Sequence, residues 1–346
     1  MSPKKLILDG PDCVTHPGLP GLQKQFCDEQ MEDVTMTNAS LTTDTETNAT
    51  LDAIAQGLAY SSRSPVLRTP ANVGLNFEEI SYPSSDGTPL EAWFIPCEGS
   101  DKLIVAMHAF GFNRYGFASH LEPWKSAFGP GNDTEIDFNL DYEILHANGY
   151  NVLAFDFRNS GLSSAANGGL QSNNKFETRD VFGTLAYIQS RPDLASMKLG
   201  IFARCMGANV TFRAIHTDPE AFAGVSCLVA PLLLSPGAFM ETTLESAGLG
   251  DYAGEADRRF HAITGVSTED GRTSTWAPSV TMPTLTYGVH DDVITRPSDL
   301  EEAYEAIGAK EKSMFWIRDT PRRWDGYKYF QRHPEQILDW FATHMN

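Results

Sequence analysis

Hydrophobic and polar positions divide the chain near Phe77. Before it, residues 1 to about 75 show little periodicity and are rich in Thr, Asn and Asp, as in MEDVTMTNASLTTDTETNATLDAI, a composition that buries little apolar surface on its own. This stretch is expected to be an N-terminal extension, either loosely ordered or packed on the core or on a second subunit, the last giving a homodimer. After it, short β-rich runs fall at 77–82, 90–96, 102–108, 151–157, 198–203, 225–231, 283–288 and 313–318. They alternate with segments of helical spacing at about 139–149, 176–190, 205–217, 297–308 and 334–345. Strands alternating with helices predict an α/β domain over 76–346 with a mostly parallel sheet, since a parallel return needs a crossover long enough to hold a helix. The first two runs flank Ser84-Ser85-Asp86-Gly87, a turn signal that predicts an antiparallel hairpin. Between the sixth and seventh runs, about 232–280 has helical character and reads as a lid.

Composition removes several function classes. Lys and Arg number 26 against 45 Asp and Glu, a formal charge of −19, which repels phosphate backbones and anionic bilayers. Neither nucleic acid nor a membrane is therefore expected as a partner. No apolar run is long enough to span a bilayer, and the first residues lack the pattern of an export signal, so a cytoplasmic location is expected. Cysteines at 13, 27, 97, 205 and 227 include no closely spaced pair, which argues against a zinc site and a disulfide framework. Sequons at Asn38, Asn48 and Asn132 carry little weight in a chain that is not exported. No Gly-rich phosphate loop or cofactor fingerprint is present, and neither a cofactor nor a metal is expected.

The segment KLGIFARCMGANVTFRAI (198–215) passes from a buried strand to a helix through Ala203-Arg204-Cys205-Met206-Gly207. Small residues two before and two after the corner allow the strained turn of a nucleophile elbow. Cys205 at that corner would gain from the helix N-terminus as a thiolate, and the Met206 amide would face a developing oxyanion. A buried structural cysteine is the competing reading, and it is the one adopted for Cys227, inside the apolar run VSCLVAP.

The order hairpin, His108-Ala109-Phe110-Gly111, Asp156-Phe157-Arg158-Asn159-Ser160-Gly161, elbow, insertion, Gly288-Val289-His290-Asp291 resembles the α/β-hydrolase family over roughly 77–345. The cysteine at the elbow makes the dienelactone hydrolase branch the nearest in motif. The resemblance implies an eight-stranded sheet flanked by helices, Phe110 as second oxyanion donor, a structural role for the 155–161 turn, and Asp291 as triad acid, with Asp292 as its rival. It fails at the triad histidine: in IRDTPRRWDGYKYFQRHPEQILDWF, Asp325-Gly326-Tyr327 matches the family's trailing Gly-aromatic pair, leaving Trp324 or Asp325 in the histidine's place. His333 or His290 could substitute, or the thiol could dispense with a base.

Arg323, Trp324, Asp325 and Tyr115 are expected to rim the pocket and bind a small, aromatic or anionic substrate. The expected activity is hydrolysis of an ester, lactone or thioester through an acyl-Cys205 intermediate, with Asp291 and His333 completing the site. The alternatives are a non-hydrolytic enzyme on the same fold (acyltransferase, cyclase, isomerase or carbon-carbon lyase) and a catalytically dead binding protein.

Overall fold

The computed structural model describes residues 44–60, 62–128 and 131–346. Cys13, Cys27 and the Asn38 sequon lie outside the described residues, as does most of the extension expected over 1–75. Residues Thr50–Asn346 form one compact unit.

Among the described residues, eight strands form one sheet: β1 (Glu78–Pro83), β2 (Pro89–Ile95), β3 (Lys102–Met107), β4 (Asn151–Phe155), β5 (Lys198–Ala203), β6 (Val225–Val229), β7 (Thr284–Val289) and β8 (Lys312–Ile317). Their spatial order is β1-β2-β4-β3-β5-β6-β7-β8. β1 and β2 pair as the expected hairpin, β2 runs antiparallel to β4, and every later pairing is parallel. The central strands are buried on both faces, and period 2 sorts their side chains between two cores. Leu103, Val105 and Met107 of β3 join one, while Ile104 and Ala106 join the other.

Helices α1 (Thr45–Ala59), α2 (Asn139–Ala147), α3 (Thr178–Ser190), α4 (Met206–Thr217), α5 (Pro236–Ser246), α6 (Ala253–Thr264), α7 (Pro297–Ala306) and α8 (Glu335–His344) carry most of the rest. Those predicted from periodicity start and stop within about three residues of the expected bounds. α5 and α6 occupy the insertion between β6 and β7. The part of the extension that is described departs from the expected division at residue 75. Leu51, Ala55 and Leu58 of α1 share an apolar cluster with Met240, Leu244 and Phe260, and Asp52 pairs with Arg259 at 2.8 Å. The amphipathic face of α1 thus belongs to the same cap as the insertion, a long-range pairing that a thin local hydrophobic signal does not reveal.

Candidate active site

β5 ends at Ala203, and the chain turns into α4 through Cys205 at φ 51°, ψ −113°. Such a conformation costs a non-glycine residue about 1–3 kcal/mol and persists only where neighbours hold it. Here the Cys205 N–H donates to the Pro231 carbonyl (2.9 Å), Arg204 N–H to Met107 (3.1 Å) and Gly207 N–H to His108 (3.2 Å). Gly207 is required by space: a Cβ there would stand 2.8 Å from the Met107 Cβ and 2.9 Å from the His108 oxygen. Below the turn, Arg204 is buried between Phe138 and Phe202 and pairs with Asp141.

His108, at the end of β3, is neutral and fully engaged. Burial holds its imidazole below the usual histidine range. Its Nδ1–H donates to the Ala109 carbonyl (2.8 Å), and its Nε2 accepts the Phe157 N–H (3.0 Å). Asp156 accepts from the Arg114 amide and guanidinium, each at 2.6 Å, and from the Leu162 N–H at 2.8 Å. The 155–161 turn is accordingly a support for the elbow.

Cys205 and Met206 lie at a cavity of about 490 Å³ whose wall is largely apolar. Phe110, Phe112, Phe117 and Trp124 come from the segment after β3, Leu234, Phe239 and Phe260 from the insertion, and Ile54 and Leu58 from α1. Both amides expected at an oxyanion, those of Phe110 and Met206, belong to residues lining this cavity.

The remaining expected residues separate into two groups. Arg323, Trp324 and Tyr327 line the cavity. Trp324 donates through Nε1 to Ser119 Oγ (2.8 Å) and meets Phe112 and Phe117 edge-on. Asp291, His290, His333, Asp325 and Tyr115 do not line it. The Asp291 carboxylate is 63% exposed and bonded to His290 Nδ1 (2.7 Å). His333 is exposed and packs on Tyr329. Asp325 accepts from Thr320 Oγ1 (2.7 Å) and pairs with Arg332 (3.0 Å), so it closes a local turn. Tyr115 is buried and donates to Glu135.

The carboxylate that turns inward from the β7 loop is Asp292, one residue past the expected position. Its side chain is fully buried and accepts from the Ile294 N–H (2.9 Å), Thr295 Oγ1 (2.9 Å) and Arg323 Nη1 (2.5 Å). Arg323 also donates through Nη2 to the Leu232 carbonyl (2.6 Å) and through Nε to the Tyr327 hydroxyl (3.4 Å). Burial opposes its charge, yet Tyr327, Asp292 and Cys205 outweigh burial and hold the guanidinium protonated. Burial above all, with Cys205 as the next influence, pushes the Tyr327 phenol well above the usual tyrosine range. Phenol, guanidinium and carboxylate therefore run in series, and the first two line the same cavity as the Cys205 thiol, where a base and an acid are expected. Sequence reasoning placed Arg323 only on a rim, because its partner Asp292 lies 31 positions earlier and looks like any loop carboxylate. Among the described residues, no histidine lines the cavity.

This sheet order, with the elbow after its fifth strand, is that of the α/β hydrolases, and solved structures bear out the fold. An esterase of Pyrococcus furiosus, Pf2001, aligns with a TM-score of 0.61 at 19% identity, covering 84% of this chain and 99% of that one. GrgF, an α/β hydrolase from Penicillium sp. sh18, aligns at 0.52 and 13% identity over 78% and 99%. A cold-adapted esterase from an Arctic intertidal metagenomic library aligns at 0.51 and 13% identity over 79% and 96%. No protein-family model and no curated protein matches the sequence. The chain has the α/β-hydrolase fold.

Proposed function

We propose that this protein is a cysteine-nucleophile enzyme that takes an acyl group from an apolar ester or thioester onto Cys205. The observation that carries the proposal is the strained elbow that holds a thiol at the N-terminus of α4 against a largely apolar cavity. A thiolate attacks the carbonyl carbon, the carbonyl pair becomes an oxyanion received by the Phe110 and Met206 amides, and collapse expels the alcohol or thiol as its anion. Solvent supplies the leaving group's proton, leaving an acyl-thioester on Cys205. Arg323 replaces the triad histidine as a fixed positive charge beside the thiolate, and Asp292 orients it, so no proton need be removed by a neighbouring imidazole.

The guanidinium that stands in the place of a base favours a second reading for the fate of the acyl group. A guanidinium cannot act as a base, and a general base is worth about 10² to 10⁴ in rate. Water is thus a poor acceptor here, and an amine, alcohol or carbon nucleophile that brings its own reactivity would compete with it.

Both readings are tested with p-nitrophenyl octanoate. The expected outcome is a stoichiometric burst of nitrophenol, an octanoyl mass increment on the Cys205 peptide, slow turnover afterwards, and faster release on adding an amine. An unchanged rate in Cys205→Ala, or acylation at Cys227 or Cys97 instead, overturns the proposal. A free acid as sole product in excess amine rejects the transfer reading and leaves a hydrolase.

A further inference from the structure

Two buried amides in the cavity wall are left without protein partners. Gln171 and Asn174 sit on the segment between β4 and α3, are 5% and 4% exposed, and both line the cavity. Neither Gln171 Nε2 nor Asn174 Nδ2 finds an acceptor among the described residues. Asn173 Oδ1 beside them also lacks a donor among the described residues, while other polar groups in the wall are engaged. Asn209 binds the Leu234 carbonyl and accepts from Thr273 Oγ1, Asn173 Nδ2 donates to the Ser267 carbonyl (2.6 Å), and Ser235 Oγ accepts the Ala238 N–H (3.2 Å).

The segment that presents these amides is fixed on three sides. The Gln171 N–H donates to Ala59 at the end of α1 (2.8 Å), Asn173 reaches the insertion through Ser267, and Arg213 of α4 donates to the Asn173 carbonyl (2.8 Å). Asn173 and Asn174 both adopt left-handed backbone, at φ 51° and 68°, a conformation held at a cost and tolerated best by asparagine. Buried donors are normally satisfied, and those kept unpaired in a fixed, strained loop beside an apolar cavity call for an acceptor from outside the chain.

We infer that Gln171 and Asn174 form a subsite for an uncharged acceptor oxygen, so that the preferred acyl group carries a ketone beyond the carbonyl that reacts. The oxygen is uncharged because, among the described residues, Arg323 is the only Lys, Arg, Asp or Glu side chain lining the cavity, and it is already committed to Asp292 and Leu232. The apolar wall receives the methylenes on either side. The inference rests on the acyl-enzyme reading above for its substrate, though not for the recognition itself.

The test compares p-nitrophenyl octanoate with its 4-, 5-, 6- and 7-oxo derivatives. A buried donor that gains an acceptor is worth about a decade. One oxo isomer should therefore acylate Cys205 with kcat/KM raised about tenfold over octanoate. Gln171→Met and Asn174→Gly remove the donors, the first keeping the shape and the second the left-handed backbone. They should abolish that gain, read as the ratio of oxo ester to octanoate within each variant. Binding to Cys205→Ala, read by quenching of the cavity-lining Trp124 and Trp324, isolates recognition from chemistry. An oxo preference there upholds the subsite even if no ester acylates Cys205. Equal binding of all five esters, or a gain that survives both substitutions, overturns the subsite even if acylation stands, and would mean that water satisfies the two amides.

Discussion

At neutral pH the Arg323 guanidinium is a permanent charge with three of its donors placed, on Asp292, Leu232 and Tyr327. Its replacement separates charge from shape. Arg323→Lys keeps a cation but loses the fork that spans a carboxylate and a carbonyl at once. Arg323→Met keeps the volume and abandons the charge. Alkylation of Cys205 by iodoacetamide at neutral pH should slow by about tenfold or more in Arg323→Met and by less in Arg323→Lys, with mass spectrometry of the Cys205 peptide as the readout. Equal rates in all three proteins would remove Arg323 from the chemistry and leave it as a packing residue. Cys227, buried in β6 with its thiol pushed up to about 12 by burial, serves as the unreactive internal control.

Between elements, His108 couples β3 to the turn after β4, since one ring nitrogen serves Ala109 and the other Phe157. Protonating Nε2 would remove the acceptor of the Phe157 N–H and bury a charge. Burial depresses the folded-state imidazole below its unfolded range of about 6.5. The unfolded chain therefore binds a proton first as pH falls, and the contribution of this group to stability is present above about pH 6.5 and lost below it. Urea denaturation at pH 7.5 and 5.5 should show a larger loss of stability on acidification for the wild type than for His108→Gln. An identical loss in both would show that the ring is not the titrating group.

For the molecule as a whole, the cavity is closed by two stretches far apart in sequence, α1 and the insertion carrying α5 and α6. Leu51 is buried in their shared cluster yet does not line the cavity. Leu51→Ala removes a core leucine, a change that costs about 2–5 kcal/mol where the site cannot collapse. The cost falls on the cap, because the two sheet-bound cores do not include this residue. Activity towards p-nitrophenyl octanoate should drop about tenfold through a raised KM, while the acetate, which needs no cap contact, stays within about twofold. Parallel losses on both esters would show that the cap supports the fold of the site and not only its acyl-binding wall.

Some of this was determined by the sequence alone. Eight strand runs, their helical partners, the hairpin at Asp86-Gly87 and the elbow around Cys205 are written in local periodicity and in small residues at fixed offsets, which act over a few positions whatever the rest of the chain does. The identity of the groups facing the thiol was not legible in that way. Asp291 and Asp292 are neighbours of the same chemistry, and only the direction of the β7 loop turns one to His290 and solvent and the other to Arg323. Tertiary structure likewise seated Trp324 in the cavity wall, drew Asp325 away to Thr320 and Arg332, left His333 outside the cavity, and joined α1 to the cap. The Asp292–Arg323, Trp324–Ser119 and α1–insertion contacts join residues tens to hundreds of positions apart, where burial and charge pairing, not local backbone preference, set the free energy.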